Sequence, residues 1–211
     1  MHFRNRLEAG RLLALELDKF VGANCVVYAL PRGGVVLGVE VAKYLNAPLD
    51  IIITRKVGHP NWNEYAVCAI GEGGQIVYNT DETAQLDPIW LKYGIDEARS
   101  EARRRRKVYL AGRNTIDPRG KTAIIVDDGI ATGLTILAAI KELRNRKPER
   151  IIVAVPVAPA KVVSSINKLV DEVIVLETAE PYLGSVGAYY DNFEQTTDAE
   201  VTYLLSTYAV K

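Results

Sequence analysis

The chain is poor in the residues that build metal centres and disulfide frameworks: it holds two cysteines and two histidines, scattered through 211 residues. Such a set cannot supply the clustered ligands of a structural zinc site. Cys25 and Cys68 each lie in an apolar run, where a free, buried thiol is the expected state. Net charge is missing as well. The 26 Lys and Arg are balanced by 26 Asp and Glu, so no global field draws the molecule toward nucleic acid or an anionic membrane, and any anion site must be local. Long hydrophobic runs are absent: Val35 to Val41 is broken by Gly38 and Glu40, whereas a membrane span needs roughly 18 consecutive apolar residues. The charged start, Met1-His2-Phe3-Arg4-Asn5-Arg6, lacks the apolar region of a signal peptide. A cytoplasmic protein with no membrane partner is expected. No internal repeat or low-complexity linker divides the sequence, so one domain over 1–211 is expected.

What is present is an alternation of strand-length apolar runs with helical patterns, the mark of a parallel α/β sheet flanked by helices. Five β-branched, nearly continuous runs read as strands covered on both faces: Cys25 to Leu30, Ile51 to Thr54, Thr122 to Val126, Ile151 to Val155 and Val173 to Leu176. A five-stranded, mostly parallel sheet follows. Between the runs, Val35 to Leu45, Thr135 to Arg146 and Lys161 to Leu169 carry helical spacing, and Leu7 to Phe20 reads as an amphipathic opening helix. Residues 57 to 78 break the rhythm with Gly58, Pro60, Gly71, Gly73 and Gly74, which predicts an inserted hairpin, Tyr65 to Ile70 with Gln75 to Tyr78, and a mobile tip. His59 reads as a solvated loop residue. Asp87-Pro88 supplies an N-cap and first-turn proline for a long polar helix ending near Gly112, and Thr197-Asp198-Ala199-Glu200 opens a last helix.

The chemistry concentrates where Ala123 to Val126 runs into Asp127-Asp128-Gly129-Ile130-Ala131-Thr132-Gly133-Leu134-Thr135 and then a helix. Ligands of open α/β sheets collect at such strand ends, and the amides of the turn and first helical turn form an anion nest. Gly129 and Gly133 let backbone approach a phosphate, and Thr132 and Thr135 add hydroxyl donors. Asp127 and Asp128 would repel a phosphate unless they face something else. A ribose offers two hydroxyl donors beside its 5′-phosphate, and carboxylates also favour positive charge developing at an anomeric carbon. The loop lacks the lysine of G-x-x-x-x-G-K-[ST], and Gly71-Glu72-Gly73-Gly74 is followed by a strand pattern, so neither familiar nucleotide motif fits.

This segment resembles the signature of the type I phosphoribosyltransferases, which bind 5-phosphoribosyl-1-pyrophosphate (PRPP). The resemblance is densest over residues 24 to 160 and implies that family's fold: a core of about 24–177, a flexible hairpin at about 56–78, and a small hood from 1–20 and 178–211. It implies that Pro31, Arg32, Gly33 and Gly34, at the end of the first strand, hold the pyrophosphate, with a cis peptide at Pro31-Arg32. It also implies that Arg55 and Lys56 are a basic pair opening a mobile catalytic loop over residues 57–66, with Glu64 a further candidate at the loop's return. The function so implied is magnesium-dependent transfer from PRPP to a nitrogenous base. Mg²⁺ would be carried by PRPP, with Asp127 or Asp128 as its protein contact. A regulatory protein that senses PRPP or nucleotides without turnover is the alternative; retention of Arg32, Arg55 and Lys56 favours the enzyme. Tyr189 or Tyr190 stacks on a base in the hood or packs against the sheet edge. Arg103-Arg104-Arg105-Arg106 reads as a solvated or dimer-facing helix and not an RNA patch, because Glu101 and Arg105 are correctly spaced for an ion pair. A homodimer is expected.

Overall fold

The computed structural model describes residues 1–60, 62–79 and 83–208, and the side chains of residues 61–65 lie outside what it describes. In chain order the elements are α1 (Arg6–Glu16), β1 (Cys25–Ala29), α2 (Gly33–Leu45), β2 (Leu49–Ile51), β3 (Thr54–His59), β4 (Trp62–Gly71) and β5 (Ile76–Tyr78). Then follow α3 (Pro88–Leu110), β6 (Thr122–Val126), α4 (Leu134–Asn145), β7 (Arg150–Pro159), α5 (Ala160–Asn167), β8 (Glu172–Ala179) and α6 (Asp198–Thr207).

Five strands form one sheet in the order β2-β1-β6-β7-β8, and every neighbouring pair is parallel. Alternate residues serve opposite faces, as the pleat requires. Val27, Ala29, Ile124 and Val126 pack beneath α1 and α2. Val26, Tyr28, Ala123 and Ile125 pack against α4 and α5. The order reverses between the adjacent strands β1 and β6, so the loops leaving their carboxyl ends diverge to opposite faces and open a crevice between them.

A second sheet, β3-β4-β5, is antiparallel throughout. Val57, Val67, Cys68 and Ile70 bury against Ile95 and Ala98 of α3, while Ala66 and Ala69 meet Leu134 and Ala138 of α4. This corrects two expectations. The run Ile51 to Thr54 is not one strand, because the chain leaves the parallel sheet after Ile51 and Thr54 opens the antiparallel one, paired with Gly71. The inserted hairpin has three strands, and much of the anticipated 57–66 loop is a bulged ladder, with Val57 opposite Cys68, Gly58 opposite Ala66 and His59 opposite Trp62. The Glu64 side chain lies outside the described residues. Both thiols are free and buried, and burial pushes Cys68 up to about 11.

The helix ends follow their sequence signals. Asn5 accepts from the Glu8 amide at 3.0 Å, Asp87 from the Ile89 amide at 2.8 Å, and Thr197 and Glu200 form a reciprocal capping box. The opening helix is shorter than expected, ending at Glu16 before a separate single turn at Asp18–Phe20. The two ends of the chain meet: Phe3 N donates to Tyr189 O and Asp191 N to Phe3 O, each at 2.8 Å. Among the described residues no helix is long and apolar enough to cross a membrane.

Candidate active site

The loops after β1 and β6 touch at the switch point. Gly33 sits so near the second loop that a Cβ there would stand 1.9 Å from Asp128 Oδ2, and one at Gly34 would stand 2.9 Å from Asp127 Oδ1. Only glycine permits that approach. Gly133 has φ +84° and caps α4, a left-handed conformation that glycine adopts without strain. The peptide bond Pro31-Arg32 is cis.

Beside this contact lies a cavity of about 260 Å³ lined by Asp127, Asp128, Gly129 to Gly133 and Thr135, with Lys56 and Arg6 as its cations and Val186 and Phe193 as apolar walls. The sequence-derived phosphate loop is therefore gathered around one space. One member differs from expectation: the Ile130 amide donates to Val157 O at 2.8 Å, so that N–H is committed to the fold and is not a phosphate donor. A second opening, about 420 Å³, shares Arg6, Asp127, Asp128 and Phe193 with the first and is bordered by Pro31, Arg32 and Gly33. A third, about 680 Å³, runs along α3 from Arg55 and Lys56 past Trp90 and Tyr93 to Arg104. Lys56 borders both the first and the third.

The carboxylates are not equivalent. Asp128 Oδ2 accepts from Arg6 Nε at 2.7 Å, and both side chains are largely enclosed, at 17% and 12% exposure. Asp127 Oδ1 accepts from the Asp128 amide at 2.9 Å. Burial and the adjacent Asp128 charge push Asp127 well above the ordinary carboxylate range, against the pull of Lys56 and Arg6. Burial also raises Asp128, with Arg6 opposing it. The pair thus forms a desolvated acceptor site, one member already holding a cation. Burial and the nearby Arg105 charge lower Arg55.

Sequence reasoning misses Arg6. It is 122 residues from Asp128, and no spacing rule links an opening helix to a mid-chain turn. It also donates to Glu194 O at 2.6 Å and lies 3.7 Å over the Phe193 ring. For Tyr189 and Tyr190 the sequence left stacking on a base and packing both open, and the structure encloses both rings. They are 4% and 5% exposed; Tyr190 packs against Phe3 and Phe193 and donates to Asp128 O at 2.6 Å, and Tyr189 stacks on Tyr182. The arginine run is split as well. Arg104 and Arg105 bond Glu101, whereas Arg106 turns into the body of the protein toward Glu72.

Fold and site together define an open α/β protein with an acidic, glycine-lined crevice at its topological switch point. The chain belongs to the phosphoribosyl transferase domain family, whose pattern matches residues 5–191. A Mycobacterium tuberculosis H37Rv protein, whose name provisionally assigns it as a phosphoribosyl transferase, is 41% identical over 210 residues, covering 96% of this chain and 46% of that protein. The chain spans about half the length of the curated relatives it matches. The crystal structure of TT1426 from Thermus thermophilus superposes with a TM-score of 0.80 at 38% identity, over 97% of this chain and 98% of that one. The AQ2163 protein of Aquifex aeolicus shares the fold at a TM-score of 0.52 and 14% identity, covering 94% of this chain and 84% of that one.

Proposed function

We propose that the protein transfers a phosphoribosyl group from PRPP to a nitrogenous base, releasing a nucleoside monophosphate and pyrophosphate. The observation that carries this reading is the direct apposition of Gly33 and Asp128, which sets a cation-bearing anion loop and an acidic ribose-type loop against each other within one ligand's reach. Thr132, Thr135 and the turn of Gly129, Ala131 and Gly133 take the 5′-phosphate. Asp127 and Asp128 accept from the ribose hydroxyls and favour positive charge at C1. The acceptor nitrogen bonds C1 as the C1–O bond breaks and its electron pair departs with the pyrophosphate, beside Arg32, Arg55 and Lys56. These cations strengthen their contact as charge grows on the leaving group, which is how positioning and electrostatics lower a barrier.

Among the described residues no group of three or more His, Cys, Asp or Glu is arranged to hold a metal. Two vicinal carboxylates in a partly enclosed crevice instead suit a magnesium ion that arrives on substrate oxygens and keeps some of its waters. Bound there through Asp127 or Asp128, Mg²⁺ would neutralise pyrophosphate charge. The reading includes a cytoplasmic setting and a homodimer. Its test is incubation with PRPP, Mg²⁺ and a panel of purines, pyrimidines and related heterocycles, with mass detection of nucleotides. Product from at least one base is expected. Binding of PRPP without product from any base would replace the enzyme with a sensor. Arg32→Ala should lower kcat more than PRPP affinity, by about a hundredfold.

A further inference from the structure

The loop after β1 faces α3 and the start of α6, and there the positive charge is denser than the pyrophosphate loop alone provides. Asp198, the first residue of α6, lies 3.7 Å from Arg32 Nη1 and 3.6 Å from Arg104 Nη2. One carboxylate therefore sits between an arginine of the β1 loop and an arginine of a helix far away in sequence. Both distances exceed those of charge-assisted hydrogen bonds, about 2.7–2.9 Å, and Asp198 is held instead by the Tyr109 hydroxyl, which donates to Oδ1 at 2.6 Å. One turn back along α3, Glu101 accepts from Arg104 Nε at 2.7 Å and from Arg105 Nε at 2.8 Å. Glu101 and Arg104 line the wide cleft together with Arg55 and Lys56. Among the described residues the buried Arg55 Nε has no hydrogen-bond partner, and Arg55 feels the charges of both Arg105 and Arg32.

Arg55, Lys56 and Arg104 line the wide cleft with Glu97 and Glu101; Arg105 joins them through Glu101, and Arg32 approaches Arg104 across Asp198. Glu101 offsets part of the like charge that Arg105 and Arg32 impose on Arg55, but the cations of this region outnumber its carboxylates, and the buried Arg55 Nε keeps no hydrogen-bond partner among the described residues. A multiply charged anion removes the conflict. Arg104 already grips Glu101 through Nε at 2.7 Å and Nη2 at 3.0 Å; guanidinium forks match phosphate oxygens in the same paired way, so a diphosphate would replace a carboxylate partner and take up the contact that Asp198 makes only at 3.6–3.7 Å. We propose that Arg104 and Arg105 of α3 complete the seat of a diphosphate group with Arg32 and Arg55, and that Asp198 is a resident counter-ion which that group displaces. This deepens the PRPP reading and rests on it: the arginine run, at first sight a solvated helix face, becomes a part of the leaving-group site. It also gives α6 a role at the site, because an incoming diphosphate competes with the first carboxylate of that helix.

The test is calorimetric titration of the protein with inorganic pyrophosphate and, separately, with ribose 5-phosphate. Arg104→Ala and Arg105→Ala should each weaken pyrophosphate binding by about tenfold or more, the loss of one charge-assisted contact. Asp198→Asn, which keeps an acceptor for Tyr109, should tighten it. Ribose 5-phosphate affinity should be unchanged in all three, and circular dichroism with a melting curve checks that each variant is folded. Unchanged pyrophosphate affinity in a folded Arg104→Ala/Arg105→Ala double variant overturns the proposal, as does weaker binding in Asp198→Asn. If the wild-type protein takes ribose 5-phosphate and not pyrophosphate, the seat is wrong and the ribose-phosphate site stands. If it takes neither of these nor PRPP, the functional reading falls with it.

Discussion

Helix α3 contributes arginines to two carboxylate clusters whose surroundings make them physical opposites: Arg106 joins a buried one with Glu72, Arg146 and Glu142, and Arg104 and Arg105 share Glu101 beside an open cleft. Glu72, at 7% side-chain exposure, bonds Arg106 Nη1 and Arg146 Nη2, each at 2.6 Å. Glu101, at 27%, bonds Arg104 and Arg105. Burial raises Glu72 above its ordinary 4.5 in spite of both arginines. At Glu101 the hydrogen bonds from Arg104 and then Arg105 win, and it falls to about 2. Desolvation decides the first case and hydrogen bonding the second. The structural consequences divide in the same way. Glu72 follows β4 and ties the antiparallel sheet to α3 and α4, and the cluster is tight enough that Arg106 Nη2 and Arg146 Nη1 are buried without hydrogen-bond partners among the described residues. Glu101 only tethers two side chains beside an open cleft, where a ligand can exchange with it.

Breaking the buried cluster should have the largest effect. Glu72→Ala removes the shortest ion pairs of two enclosed guanidinium groups, leaving Arg146 to Glu142 and Arg106 to the more distant Asp50, and should destabilise the protein by about 3 kcal/mol in urea unfolding. Hydrogen exchange should then rise in β3 to β5 well before it rises in β6; equal loss in both sheets would mean that the cluster does not pin the smaller sheet in particular. Arg146→Ala keeps the Glu72 to Arg106 pair and should cost less, about 1–3 kcal/mol. Glu101→Gln should cost no more than about 1 kcal/mol, because a partly exposed pair is screened by solvent. A midpoint shift as large as that of Glu72→Ala would erase the distinction.

The smallest effect is in the pH dependence, where the two carboxylates differ in sign. Glu101 has a depressed folded value, so its contribution is present above 4.5 and is lost as pH falls toward about 2. The stability difference between wild type and Glu101→Gln should shrink over that window. Glu72 has a raised folded value, so its protonation contributes stability below 4.5 that is lost as pH rises through the folded value. Urea midpoints from pH 2 to 6 for wild type, Glu101→Gln and Glu72→Gln should show slopes of opposite sign in the two differences.

The parallel sheet was legible because its strands are short apolar runs bounded by helical patterns; β6 spans the expected Thr122 to Val126. The β2/β3 boundary was not, because Ile51-Ile52-Ile53-Thr54 carries no change of period where the chain passes from one sheet to the other. The 127–135 loop could be read for a similar local reason: strand, turn and helix start are contiguous in the sequence. Arg6 and Phe193 border the crevice from the two flanks of the chain, and nothing in their neighbourhoods marks them. Arg104 and Arg105 were read from their spacing to Glu101, and the structure forms that pair, Arg105 Nε donating to Glu101 at 2.8 Å. For Tyr189 and Tyr190 the residue types alone could not choose between stacking on a base and packing, because a tyrosine suits both; the fold buries the two rings.

The meeting of the chain ends over Asp128 also sets an order in time. Asp128 is gripped by Arg6, 122 residues before it, and by Tyr190, 62 residues after it, and Arg32 waits for Asp198. Such contacts need long loop closures, as the pairing of Cys25 with Thr122 inside the parallel sheet also does. During synthesis from the N-terminus, α1, β1 and β6 emerge while the carboxylate pair still lacks its hood. A growing chain therefore carries an unfinished crevice until the segment near residue 198 is free to fold back, and the parallel sheet is complete before the chemistry it positions.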